Sequence, residues 1–117
     1  MQQSELKRIR VEQTGNITIV TFLDAALLDE KLIDGLGEEL QSLVHDRCKI
    51  ILDFNDVTYL SSATLGKLIS LHKKTRKVSG HLRLCNLASD IVEVFSLTSL
   101  DKFFSLSPNR FTAIVGL

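Results

Sequence analysis

The chain has 117 residues, 44% of them hydrophobic, with one proline and fourteen basic side chains balanced by fourteen acidic ones. That length suits one domain, 1–117, with a core of its own, and the composition excludes a disordered, collagen-like or low-complexity chain. A formal net charge of +0 supplies no long-range field toward phosphate backbones or anionic lipid, so neither nucleic acid nor a membrane is an expected partner.

No apolar run approaches the ~20 residues that a membrane-crossing helix needs. The opening MQQSELKRIRVEQ alternates and carries charge, unlike the apolar centre of a signal peptide, so a cytosolic protein is expected. Cys48 and Cys85 both lie inside apolar, strand-like runs and read as reduced packing residues.

Residues 6–13 and 16–23 each alternate with period two across Thr14-Gly15, the pattern of two strands in a hairpin. From Asp29 to Val44 the period lengthens. Leu32, Leu36, Leu40 and Leu43 make a stripe widened by Ile33 and Val44, which predicts an amphipathic helix capped by Asp29. Gly35 and Gly37 weaken that helix and point either to close packing against a sheet or to a mobile element. Residues 48–54 (CKIILDF) form a nearly continuous apolar run, expected of a central parallel strand covered on both faces.

After Asn55-Asp56, the segment Val57-Thr58-Tyr59-Leu60 leads to Ser61-Ser62, either of which begins a second helix. Leu65, Leu68, Ile69, His72 and Thr75 form its inner stripe, and Lys67, Lys73, Lys74 and Lys77 its solvated face. Ser79-Gly80 stops this helix, 81–87 alternate as a strand, and 89–97 predict a short helix with Ile91, Val94 and Phe95 inward. Phe103, Phe104 and Leu106 suggest a last brief strand, and a terminal helix follows Ser107-Pro108 with the proline in its first turn. The expected architecture is a small mixed α/β sheet, an opening hairpin plus parallel strands joined by right-handed crossovers, with about four helices.

Catalytic signatures are missing: there is no GxSxG, GxGxxG, HExxH, paired CxxC or EF-hand loop. Gly66-Lys67 lacks the earlier glycine of a phosphate loop and falls within a helix. His45, His72 and His81 are too scattered to act as metal ligands, and His72 reads as a partly buried packing residue. No enzyme, cofactor or metal is therefore expected. Asp24, at the end of the second strand, is left as a rim candidate for partner contact.

The segment Val57–Lys67 stands apart, because three hydroxyl side chains, Ser61, Ser62 and Thr64, surround one helix start. One serine suffices for capping. Free amides and the positive helix end also make this the chain's best place for a phosphate, so a regulatory phosphoserine is a candidate.

These residues resemble the STAS domain of anti-sigma-factor antagonists. The likeness is carried by the opening hairpin, by ILDFNDVTYL running into SSATLGKLI, and by SGHLRLCNLASDIVEVFSLTSLDKFF. In that family an apolar-Asp-Ser-Ser-Gly-Leu-Gly pattern ends the strand, and the serine after the aspartate accepts phosphate from an anti-sigma factor that is itself a kinase. Ser61 takes the aspartate's position, Ser62 that of the phosphoacceptor, Ala63 replaces the second serine, Thr64 the glycine, and Leu65-Gly66 match. A Gly-Glu-Leu-Asp-like signature after the second strand has Phe22-Leu23-Asp24 in its neighbourhood.

The resemblance implies a STAS-like fold and a non-enzymatic partner-switching protein, a monomer or weak dimer. Unphosphorylated, it would bind a kinase-type anti-sigma factor through Asp24, Ser61, Ser62 and Thr64, with Ser62 the phosphoacceptor and Ser61 its decoy. The alternative is an unphosphorylated STAS scaffold or ligand-binding module of a larger signalling or transport assembly.

Overall fold

A computed structural model describes residues 9–23, 26–27 and 30–117, with the backbone alone for 26–27 and 30–34. Two strands, β1 (Ile9–Thr14) and β2 (Ile17–Phe22), form the opening hairpin, and Ile9 pairs with Phe22 at its open end. The connection is Gly15-Asn16, one residue later than expected. Gly15 takes φ 63°, a conformation in which a side chain would be strained.

Three further strands extend the sheet in parallel: β4 (Lys49–Asp53) beside β2, then β6 (His81–Cys85), then β7 (Ser105–Ser107), giving the order β1-β2-β4-β6-β7. A separate parallel pair joins β3 (Ala26–Leu27) to β5 (Tyr59–Leu60). With two residues each, these strands leave no periodicity to read. The helices are α1 (Glu30–Gln41), α2 (Ser62–Lys77), α3 (Ser89–Leu97) and α4 (Arg110–Val115), with a 3-10 turn at Leu100–Lys102. The mixed α/β sheet with an antiparallel hairpin and four helices is the expected architecture. Asp29, the expected cap of α1, lies outside the described residues.

Alternation in β4 sends its side chains to two separate cores. Cys48, Ile50, Leu52 and Phe54 pack with Val20 and Phe22 of β2, Leu36 and Leu40 of α1, Leu68 and Leu71 of α2 and Phe95 of α3. Phe22 and Phe54 meet with ring centroids 4.7 Å apart. Ile51 goes the other way, to Ile17, Ile19, Cys85 and Ala113 under α4. The central strand is thus covered on both faces. Each fully buried aliphatic side chain contributes about 1.5–3 kcal/mol through its removal from water, so this strand anchors both layers.

Several sequence-based expectations move by a residue or a rotation. The buried stripe of α2 is Thr64, Leu68, Leu71 and Thr75, while Leu65, Ile69 and His72 flank it half-buried. Leu68 and Thr75 are on the stripe as expected, whereas Thr64 is hidden from a hydrophobicity pattern. Burial of the threonines is tolerated because the hydroxyls are bonded, Thr75 Oγ1 donating to Leu71 O at 2.8 Å. Lys67 is half-buried, with Gly37 at the α1–α2 contact leaving room for its aliphatic stem, so it does not share the solvated face of Lys73, Lys74 and Lys77. In α3, Ile91 and Phe95 are buried four residues apart, but Val94 is 45% exposed, because the nine-residue helix buries only that i, i+4 edge.

Near the chain end, Phe103 and Phe104 precede the last strand instead of forming it. They pack around His72, with Phe103 4.3 Å and Phe104 5.3 Å away between ring centroids. Burial first, and then the Arg76 charge, hold the His72 imidazolium below its ordinary pKa. Pro108 stands before the cap of α4, not in its first turn: Asn109 is the N-cap, its side chain accepting from Thr112 N at 2.8 Å.

The stop after α2 is not the one expected of a glycine. Ser79 adopts the left-handed conformation, φ 59°, while Gly80 N donates to Thr75 O at 2.9 Å. Gly80 is required by proximity, since a Cβ there would stand 2.7 Å from Cys48 Sγ and 2.8 Å from Cys48 O. That carbonyl cannot retreat without losing the 2.8 Å bond it accepts from His81 N. Gly80→Ala is therefore expected to lower stability by about 1–3 kcal/mol, the usual cost of overpacking, as a reduced urea midpoint. Ser79→Gly, which relieves a left-handed side chain, should leave the midpoint unchanged or raise it; equal midpoints for wild type and Gly80→Ala would refute the packing argument.

Candidate functional site

At the carboxyl end of the sheet, β4 runs through Phe54, an Asn55-Asp56 turn and β5 into the start of α2. Ser61 is the N-cap. Its backbone is extended (φ −85°, ψ 166°), its Oγ accepts from Thr64 N at 3.2 Å, and the same oxygen lies 3.1 Å from Thr64 Oγ1. Leu65 N donates to Ser61 O at 3.1 Å. The helix thus begins because one serine satisfies amides that have no acceptor in the preceding turn.

Ser62, next along, is the first helical residue and is exposed. The two adjacent hydroxyls consequently differ: Ser61 is half-buried and engaged in capping, whereas Ser62 stands at the surface over the positive end of a sixteen-residue helix. Thr64 is only 1% exposed and braces the cap from below, so it is not part of a contact surface. Thr64 falls on the buried stripe of α2, which a reading of hydroxyl spacing alone misses. Asp24, the remaining expected rim residue, lies outside the described residues. The first turn of α2 carries no acidic residue.

Beside the serines, a groove of about 260 Å³ runs between β5, the start of α2 and α3, lined by Tyr59, Leu60, Leu65, Asp90 and Val94. Tyr59 is 54% exposed. The exposure of Val94, unexpected from the sequence, belongs to this groove.

Sequence reasoning missed the polar group beneath the site. Asp53, the last residue of β4, has a side chain only 5% exposed, yet its carboxylate accepts four hydrogen bonds. Oδ1 accepts from Asn55 N and Asn86 Nδ2, each at 3.0 Å; Oδ2 accepts from Arg110 Nε at 3.1 Å and Arg110 Nη2 at 2.8 Å. Arg110 also donates to Thr21 Oγ1 at 3.1 Å and to Glu12 Oε1 at 3.0 Å. Register explains the geometry, because Thr21, Asp53, Cys85 and Ser107 lie in one row across the sheet on the face that α4 covers.

Burial opposes the charge on Arg110, but the bond and charge of Asp53, followed by Glu12, raise its pKa above the ordinary value. Burial first, then the Asp53 charge, push the Cys85 thiol up to about 12, with Arg110 partly offsetting this. Cys85 is an inert packing residue in consequence. The signal available in the sequence was the single aspartate ending an otherwise apolar strand, since a buried carboxylate requires a partner. Nothing in the sequence singled out Arg110.

Comparison with known proteins places this geometry in a family. The family model for the STAS domain matches residues 8–113, and the chain belongs to that family. Among relatives, the match to BtrV of Bordetella bronchiseptica, a candidate anti-sigma factor antagonist by its name, is 32% identical over 62 residues, 53% of either chain. The match to the anti-sigma-B factor antagonist of Bacillus subtilis is 29% identical over 72 residues, 62% of this chain and 66% of that one. These matches span about half to two thirds of the relatives' lengths.

The fold is also that of an anti-sigma-factor antagonist (STAS) domain protein from Planctomyces limnophilus, at TM-score 0.81 and 18% identity over 92% of this chain and 96% of the other. It recurs in the murine anion transporter Slc26a9 at TM-score 0.74 and 14% identity, covering 91% of this chain and 18% of the transporter. Among the described residues, no helix is long and apolar enough to cross a membrane.

Removing Arg110 while keeping Asp53 leaves a buried carboxylate without its counter-charge. Arg110→Met is expected to cost about 3 kcal/mol, towards the low end for a broken buried pair because the arginine side chain is itself 37% exposed. Adding Asp53→Asn should restore part of the loss, and Glu12→Gln, at a surface pair, should cost under about 1 kcal/mol. Urea titrations of the three variants check this, and an Arg110→Met midpoint equal to wild type would contradict it.

Proposed function

We propose that this chain is an anti-sigma-factor antagonist, not itself an enzyme, that acts as a partner switch controlled by phosphorylation of Ser62. Unphosphorylated, it docks onto a kinase-type anti-sigma factor and so releases sigma. The exposed Ser62 hydroxyl, beside a capping serine that is already engaged, is the observation that carries this reading. Family membership and the names of the two relatives support it.

The docking rim is built from Ser61, Ser62, Tyr59 and Val94, with Thr64 beneath it and the apolar groove accepting a side chain of the partner. Phosphorylation moves the γ-phosphoryl group of ATP onto Ser62 Oγ. The hydroxyl proton passes to a base of the kinase, and ADP leaves. ATP and magnesium belong to the kinase, and this chain needs no cofactor.

The new group carries about −1.5 to −2 charges and three acceptor oxygens. It suits the positive end of α2, so the fold persists. It also puts a doubly charged, hydrated group into a contact surface shaped around a neutral hydroxyl. A desolvation and repulsion penalty of about 4 kcal/mol weakens docking ~10³-fold, since each 1.4 kcal/mol is tenfold.

Slc26a9 supplies a reason to keep a second reading in view, together with the absence of an acidic residue from the first turn of α2. In that reading the chain is an unphosphorylated scaffold. Calorimetric titration against the partner kinase separates the two. Ser62→Ala is expected to bind like the unmodified protein and Ser62→Asp to lose about three orders of magnitude; unchanged binding by Ser62→Asp favours the scaffold. Phosphopeptide mapping after incubation with kinase and ATP should place the phosphate on Ser62, and phosphate on Ser61 alone would overturn the assignment.

A further inference from the structure

At the opposite end of α2 from Ser62, a cleft of about 460 Å³ opens between that helix, the start of β6 and the chain after α4. It exists because β7 is short: its pairing with β6 begins only at Arg83, leaving Gly80, His81 and Leu82 without a strand on that side. His72 and Arg76 come from α2, His81 and Arg83 from β6, and Ser105 from β7. Among the described residues no aspartate or glutamate side chain lines the cleft, although acidic and basic residues balance in the chain as a whole.

Cations at the end of α2 have a structural explanation, because Lys74, Arg76 and Lys77 offset the negative helix terminus. Arg83 has none. Its guanidinium is half-buried and donates to two neutral oxygens, Ser107 Oγ at 3.3 Å and Gly116 O at 3.2 Å, while its Nε is buried without an acceptor. His72 Nδ1, in the same cleft, is likewise buried and without a hydrogen-bond partner. The contrast with Arg110 is direct: that guanidinium meets two carboxylates, whereas Arg83 meets no carboxylate side chain among the described residues. A cation withdrawn in part from water gains from an anionic partner, and a buried polar atom without a protein partner is met by water, an ion or a ligand.

We propose that this cleft is a binding site for the phosphoryl group of a small metabolite, with Arg83 and Arg76 as its cationic anchors and His81, His72 and the Ser105 hydroxyl as further ligating groups. Arginine suits such a group because its planar fork matches phosphate oxygens. The volume falls within the range of small-molecule sites and favours a compact ligand. The balanced net charge of the chain argues against a polyanion drawn in by a long-range field. Ten residues of α2 separate His72 from Ser62, about 15 Å along the axis, so this site is distinct from the switch and does not depend on it.

Calorimetry of the unphosphorylated chain in phosphate-free buffer tests the proposal, with inorganic phosphate, ribose 5-phosphate and acetate as separate titrants. One-to-one binding of ribose 5-phosphate, with acetate silent, is the expected result. Inorganic phosphate binding as tightly as the ester identifies the free ion as the occupant; weaker binding identifies a phosphate ester. Arg83→Gln should weaken binding at least ~10-fold, as the loss of a charge-assisted hydrogen bond implies. Arg76→Gln, at an exposed position where folding is not at risk, should weaken it several-fold, and Ser62→Ala should leave it unchanged. No binding of either phosphate compound, or full binding by Arg76→Gln and by a folded Arg83→Gln, overturns the proposal.

Discussion

A carboxylate sealed beneath a helix organises one end of this molecule. Asp53 ends the central strand, and its two oxygens hold the turn that leads to the switch segment through Asn55, the approach to α3 through Asn86, and α4 through Arg110. Apolar packing alone would leave those three segments free to slide, since dispersion and hydrophobic contacts have little directionality. Four hydrogen bonds to one buried anion fix their positions relative to the sheet. An isolated buried carboxylate would be costly, and the arrangement is stable because every oxygen is satisfied and a guanidinium neutralises the charge.

That rigidity also fixes the start of α2, where the two serines differ. The capping serine is committed to Thr64, the threonine is committed to the core, and the adjacent serine is left at the surface. A substitution at the adjacent serine would leave the cap of the helix in place. Capping and surface exposure are thereby divided between neighbouring residues with the same side chain.

Much of the fold was legible because alternation and helical periodicity are dictated by burial. The second strand of the hairpin, the central strand and α3 match these patterns to within a residue, and the first strand does so at its end, residues 6–8 lying outside the described ones. The errors came where polar atoms behave as core. Leu68 and Thr75 lie on the expected stripe of α2, but Thr64, whose hydroxyl finds a local partner, and Leu71 replace Leu65, Ile69 and His72 at its centre. The β3–β5 pair is too short for any period. Hydroxyl density at a helix start is visible in the sequence, but which of the two serines caps and which is exposed is visible only in the structure. The Asp53–Arg110 link joins residues 57 positions apart, a separation no local pattern spans, and only the oddity of an acid in an apolar strand hinted at it.

The far side of the sheet carries a mechanical implication. Through Arg110, the last helix and the loop that delivers the serines grip the same anion from opposite sides. Whatever tugged α4 from its seat would slacken the loop as well, so this helix acts as a tension member for the segment that carries the serines.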